Sequence, residues 1–251
     1  MSMKERPAFP ARVQGLGEQP KPRPAAPTIA QPQGIGLDSG AVRRRMVEKL
    51  MGLGVRDAAV LDAMASVERH RFVDSALANQ AYEDTSLPIG LGQTISKPSV
   101  VARMAELLRN GSIDKLGRVL EIGTGCGYQA AVLSQMSSEV YSIERLRGLH
   151  DKARANLRSM FLRNVHLLFG DGMLGFPQGA PYAGIIAAAG GEAIPAAWIE
   201  QLAVGGRLVA PVARAGGAGQ QMLMVVDKTP QGLRQTVLEA VHFVPLKSGF
   251  V

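Results

Sequence analysis

The run Val119-Leu120-Glu121-Ile122-Gly123-Thr124-Gly125-Cys126-Gly127-Tyr128 restricts the fold more than any other part of this chain. A short apolar stretch passes into a turn with three alternating glycines and then into a helical pattern. Glycine lets the backbone turn tightly and come close to a ligand, while the first N–H groups of a helix remain free to bind it. Such a strand–turn–helix belongs at the carboxyl edge of a parallel sheet. The dinucleotide fingerprint G-x-G-x-x-G needs glycine at position 128. Tyr128 stands there, so a nicotinamide cofactor is disfavoured.

The remainder of the chain agrees with an open α/β sheet. Apolar runs at 118–122, 140–143, 165–169, 183–187, 207–212 and 222–226 read as buried strands, and helical patterns at 128–135, 149–163 and 195–203 separate the first several. Near-continuous apolar strands alternating with helices mean a parallel sheet covered on both faces. The last run is followed by residues 236–245 with no helix between, which predicts an antiparallel hairpin. The expected fold class is α/β, a doubly wound, mostly parallel seven-stranded sheet with an N-terminal helical cap. Residues 117–251 form its cofactor-binding sheet, and residues 41–116 the helical cap and active-site loop.

Within the cap, Met46, Val47 and Leu50 have helical spacing, stopped by Gly52 and Gly54. Asp57 is the expected N-cap of a second helix that buries Val60, Leu61 and Met64. Residues 82–98 read as one long, irregular but ordered loop, ended by a helix from Pro98 to about Arg109. Residues 1–40 differ. They hold seven of the fifteen prolines and show neither helical nor strand periodicity, so a disordered, proline-rich, extended tail is expected.

Composition removes several function classes. The single cysteine, Cys126, excludes an intramolecular disulfide and a multi-cysteine zinc site, and His70, His150, His166 and His242 lack ligand spacing. No metal is expected. The net charge of +7 is dispersed, Arg43-Arg44-Arg45 being its one dense run, and the 5% of aromatic residues do not interleave with basic ones. A nucleic-acid platform is therefore not expected. The uncharged stretch 179–191 is too short and glycine-rich to span a bilayer, and the N-terminus lacks an apolar secretory core. These features predict a cytoplasmic protein without membrane contact, working as a monomer.

Two acidic side chains extend the glycine turn into a site. Glu144 ends the second strand, 23 residues beyond Glu121, where a carboxylate can accept hydrogen bonds from both hydroxyls of a ribose. Asp171, within Gly170-Asp171-Gly172, ends the third strand, placed to accept from an adenine amino group. The pattern E-x-G-x-G-x-G resembles the first motif of class I S-adenosylmethionine-dependent methyltransferases, which are Rossmann-like.

The resemblance sharpens with Leu87-Pro88-Ile89-Gly90, Gly92-Gln93-Thr94-Ile95-Ser96, Ser142-Ile143-Glu144-Arg145, Gly205-Gly206-Arg207-Leu208 and Val244-Pro245-Leu246. Together with the glycine turn these resemble the protein-L-isoaspartate O-methyltransferase family over residues 42–251. The resemblance implies a protein-repair enzyme that moves a methyl group from S-adenosyl-L-methionine to the α-carboxylate of L-isoaspartyl residues in damaged proteins and peptides. It implies Ser96 as the catalytic serine. It implies a cofactor site of Gln93, Thr94, Ile95, Glu121, Gly123, Thr124, Gly125, Gly127, Glu144, Arg145, Asp171 and Gly172. The fourth strand departs from the family's pattern: after Ala180-Pro181-Tyr182, residues 183–191 lack the usual acid and Thr-Ala-Ala. Two other readings accommodate that departure, a methyltransferase with another carboxylate acceptor and a non-catalytic binding homologue.

Overall fold

The computed structural model describes residues 40–214 and 220–251. The expected disordered tail lies outside the described residues. The chain opens with α1 (Gly40–Gly52) and α2 (Ala58–Ser66), whose buried residues Met46, Leu50, Val60 and Met64 follow the helical spacing; Leu61 is partly buried. Asp57 caps α2 by accepting from the Val60 amide at 3.2 Å, and Arg109 clamps the same carboxylate at 2.8 Å. That ion pair ties the cap to α3 (Pro98–Arg109), which starts on Pro98 and ends on Asn110 in the left-handed region.

Residues 82–98 contain more structure than a loop. β1 (Leu87–Gly90) and β2 (Gln93–Ile95) form an antiparallel hairpin. Its turn needs positive φ at Gly90, Leu91 and Gly92, which two glycines make accessible. Leu87, Ile89 and Ile95 alternate into the cap's apolar core, and the Lys152 ammonium donates to the Ile89 carbonyl at 2.7 Å.

The main sheet comprises β3 (Leu116–Ile122), β4 (Ser137–Glu144), β5 (Val165–Phe169), β6 (Tyr182–Ala187), β7 (Leu202–Ala213), β8 (Gln221–Thr229) and β9 (Gly232–Val241). Its order is β5-β4-β3-β6-β7-β8-β9. Every pairing from β5 through β7 is parallel, and β7–β8 and β8–β9 are antiparallel. The fold class is as expected. Helices α4 (Tyr128–Met136), α5 (Arg147–Arg158) and α6 (Ala196–Gln201) connect the parallel strands. α5 ends earlier than its sequence pattern suggests, because Phe161 takes a positive φ that no helix continues.

Successive side chains on a strand face opposite ways, and the sheet buries both sets. Val119, Val140, Ile186 and Val209 pack with Met104 and Leu108 of α3 and Leu133 of α4. Leu120, Ile143, Ile185 and Leu208 pack on the other face with Tyr182 and Trp198. Order reverses between β3 and β6, where the chain leaves the central strand in both directions. The parallel strands therefore all end at one edge, and a crevice opens there. Among the described residues, no helix is long and apolar enough to cross a membrane.

Candidate functional site

At that crevice lies a cavity of about 510 Å³. Its floor is the glycine turn after β3. Gly123, Gly125 and Gly127 have φ of +90°, +56° and +91°, and a Cβ built on Gly125 would stand 3.2 Å from Ile89 Cδ1. Two constraints thus coincide at Gly125, backbone handedness and lack of room. The turn is pinned to the neighbouring strand, since the Gly123 and Thr124 amides donate to the Ile143 carbonyl at 2.9 and 3.1 Å.

Glu144 closes the end of β4. Its Oε2 accepts from the Gly125 amide at 2.8 Å and its Oε1 from the Leu146 amide at 2.9 Å. Each oxygen retains a second lone pair toward the cavity it lines, so the carboxylate can still accept from a ligand hydroxyl. Behind the floor a chain of polar side chains is sealed from water. The Thr124 and Ser142 hydroxyls lie 2.6 Å apart, and Ser142 donates to Glu121 Oε2. Burial pushes the Glu121 carboxyl up to about 8, opposed by hydrogen bonding from Ser142 and reinforced by the nearby Glu144 charge. Glu121 Oε1 and Gln129 Nε2 are buried without a hydrogen-bond partner in place, and Gln129 lines the cavity. A cradle of positive-φ glycines beside unsatisfied polar atoms suits a polar ligand that closes over the turn.

The β1–β2 hairpin forms the opposite wall, through Gln93, Thr94, Ile95 and Ser96. The Ser96 hydroxyl bonds to no described residue. Position 97, not Ser96, is the N-cap of α3, and its side chain makes no capping bond. Below Ser96 sits Arg69, fully buried, with Nη2 donating to the Ser96 carbonyl at 2.8 Å and Nε to the Ala81 carbonyl at 2.7 Å. Its guanidinium lies 4.8 Å from the Tyr128 ring centroid, and desolvation pulls its pKa below the ordinary arginine value.

Ten of the residues expected at the site line this cavity: Gln93, Thr94, Ile95, Ser96, Gly123, Thr124, Gly125, Glu144, Arg145 and Gly172. Three do not. Glu121 lies behind the floor, and Gly127 serves as the N-cap of α4. Asp171 accepts from the Met173 amide at 2.8 Å and from the Gly249 amide at 2.6 Å, so the last residues of the chain cross its face. That crossing continues as the Val251 amide donates to the Arg145 carbonyl at 2.8 Å.

Sequence reasoning overlooked Gln129, Leu146, Leu149 and Lys247 in the lining. Gln129 was legible in principle, as a polar residue in the first turn of the helix that opens directly on the glycine turn. Cys126 also lines the cavity, but burial raises its thiol to about 11, so it packs rather than reacts. Trp198 is buried, donating its indole N–H to the Gly172 carbonyl at 2.8 Å.

A second, open groove of about 440 Å³ adjoins the first. Thr94, Ser96, Ala188 and Val244 line both. One wall of this groove is the end of β9 and residues 242–244, where the Gln221 side-chain amide occupies the Phe243 backbone, accepting from its N–H at 2.8 Å. Ser96 is thus among the residues where the two spaces adjoin.

Comparison with known proteins converges on this architecture. The sequence profile of the protein-L-isoaspartate(D-aspartate) O-methyltransferases matches residues 41–250. The protein-L-isoaspartate O-methyltransferase of Methylibium petroleiphilum is 56% identical over 272 residues, covering 99% of each chain. That of Dechloromonas aromatica is 56% identical over 216 residues, covering 86% of this chain and 98% of its own. Among solved structures, a protein-L-isoaspartate O-methyltransferase superposes with a TM-score of 0.74 at 29% identity, over 82% of this chain and 66% of that one. A Plasmodium falciparum beta-aspartate methyltransferase in complex with S-adenosyl-L-homocysteine gives 0.68 at 23% identity, over 82% and 98%, a likeness of fold. With the profile spanning the whole described sheet and its cap, this chain belongs to the protein-L-isoaspartate(D-aspartate) O-methyltransferase family.

Proposed function

We propose that this chain methylates the α-carboxylate of L-isoaspartyl residues in damaged proteins, the 117–251 sheet holding S-adenosyl-L-methionine and the 41–116 cap presenting the acceptor. The observation that carries this reading is the unpartnered Ser96 hydroxyl at the junction of two spaces, one floored by the glycine turn and one open to a chain. When bound, the cofactor supplies an electrophilic methyl group on a sulfonium.

The acceptor dictates what the protein must do. A carboxylate of pKa about 4 is already an anion at neutral pH, so no general base is needed. The carboxylate oxygen forms the new C–O bond as the S–CH₃ bond breaks, its electron pair remaining on sulfur. Opposite charges disappear in this step, so a site poor in water favours it. Ser96 orients the carboxylate by donating its hydroxyl proton to one oxygen, leaving the other for attack. Glu144 accepts from the ribose hydroxyls with its spare lone pairs, and Gly123, Thr124 and Gly125 cradle the amino-acid end. Gln93, Thr94 and Ile95 close over the cofactor opposite the floor, Arg145 and Gly172 flank the ribose and adenine side, and Glu121 and Gly127 fix the turn from behind. Asp171 accepts from the adenine amino group once the segment around Gly249, which crosses its face, moves aside.

Isoaspartate carries its free carboxylate one methylene nearer the backbone than aspartate does. A groove that fixes the backbone misplaces one of the two, and about 1 Å of misplacement costs on the order of a hundredfold in rate. The test is methyl transfer to an isoaspartyl peptide and to its aspartyl twin. The first should form a base-labile ester and the second remain unmodified. Ser96→Ala should lower kcat at least tenfold and leave the cofactor Kd unchanged in calorimetric titration. Equal rates on the two peptides would refute the assignment of substrate, and full turnover of Ser96→Ala would remove that residue from the chemistry.

A further inference from the structure

We infer that the second groove selects acceptor chains bearing an acidic side chain close to the isoaspartyl residue, and that Lys97 makes this selection. The inference rests on the acceptor reading given above. Among the described residues lining the groove, Lys97 is the fixed cation, His242 adds an imidazole on the facing wall, and no aspartate or glutamate is present. Lys97 is exposed, and its ammonium has no hydrogen bond or ion pair with a described residue.

Two carboxylates on adjacent elements make their contacts to residues other than Lys97. Asp84 accepts from the Ser99 amide and hydroxyl, both at 2.8 Å. Glu239, just before the groove's β9 wall, pairs with Arg103 at 3.1 Å. The lining of the groove thus carries a cation and no carboxylate, on a chain of net charge +7.

Position supports the same conclusion. Lys97 directly follows Ser96, and its backbone is extended, with φ −52° and ψ 144°, so the two side chains diverge. The ammonium sits at the end of a flexible four-carbon stem that reaches roughly 6 Å, while consecutive residues of an extended acceptor are about 3.8 Å apart. With Ser96 on the isoaspartyl carboxylate, Lys97 therefore reaches a side chain one or two positions away. An exposed ion pair of this kind changes affinity by about two- to fivefold and weakens as salt shortens the screening length. The effect belongs in KM, since the pair is equally made in the ground and transition states.

The experiment uses the full chain and a set of isoaspartyl peptides with Glu or Gln at each of the two positions on either side. The expected result is a two- to fivefold lower KM for Glu over Gln at one or more positions in low salt, with kcat unchanged. In Lys97→Gln the Glu/Gln ratio should fall to one, in Lys97→Glu it should invert, and 0.5 M sodium chloride should suppress it in the parent. Equal KM values for Glu and Gln peptides in the parent would overturn the inference and leave the acceptor reading standing. A Glu preference that survives in Lys97→Gln would also overturn it, by assigning recognition to another group. Failure to methylate even the Gln isoaspartyl peptides would overturn both.

Discussion

Replacing Glu121 with glutamine tests the electrostatics beneath the glycine turn. Glu121 is fully buried, and its carboxyl is raised from an ordinary 4.5 to about 8. In the unfolded chain the group loses its proton near 4.5, whereas the folded protein keeps it until about 8. Between these values folding takes up a proton, so the contribution of Glu121 to stability is complete below pH 4.5 and declines as pH rises through 8. Linkage over this window gives a loss of about 3–4 kcal/mol between pH 5 and pH 8 for a shift of this size. Glutamine matches the protonated carboxyl in shape and keeps an oxygen for the Ser142 hydroxyl, but does not titrate. Urea unfolding followed by the fluorescence of the single tryptophan, buried Trp198, measures both proteins at each pH. The parent should lose stability relative to Glu121→Gln by that amount across the range, other titrating groups cancelling in the difference. A difference that stays flat with pH would refute the reasoning and show that the buried chain from Thr124 to Glu121 carries a stable negative charge.

Gly125→Ala places a side chain at φ +56°, where an L-residue is strained by about 1–2 kcal/mol, and its Cβ would press on Ile89. Cofactor affinity should fall about tenfold or more by calorimetric titration, and an unchanged Kd would remove the turn from the binding site. Arg69→Met strips the buried Ala81 and Ser96 carbonyls of their donors, for a loss of about 1–3 kcal/mol. Turnover should fall along with melting temperature, because the Ser96 segment loses its tether. Parent-like stability and turnover would show that the arginine anchors nothing.

Legibility followed the range of the forces involved. β3 through β6 and the glycine turn are local patterns, with apolar runs of sheet length and punctuation at each end, and the expected strand at 165–169 coincides with β5. By sequence the β1–β2 hairpin reads as a loop because Pro88, Gly90 and Gly92 are loop residues by local rules, and strands of four and three residues carry too little alternation to outweigh them. Its pairing is enforced from outside, by the cap core under Ile89 and Ile95 and by Lys152 from α5. β7 begins earlier than its apolar run suggests, since Gly205 and Gly206 mask its first half. Asp171 shows the same limit at the site. Its place at the end of β5 was readable, but its partner lies 78 residues onward, and no local pattern reports a contact of that span.

The antiparallel turn-back of the last two strands has an evolutionary consequence. The glycine-turn floor, proposed above to hold the methyl donor, comes from consecutive β–α units of the middle of the chain. The second groove draws its walls from the end of the β1–β2 hairpin, whose other residues face the first cavity, and from a strand near the end, and four side chains are common to both spaces. Mutations can therefore accumulate at positions such as Lys97 or His242 and change the clientele of the enzyme while its fuel supply stays as it was. Under the proposed division, a lineage can drift toward a new population of damaged proteins by steps at positions that line the second groove alone, sparing the residues that face the donor.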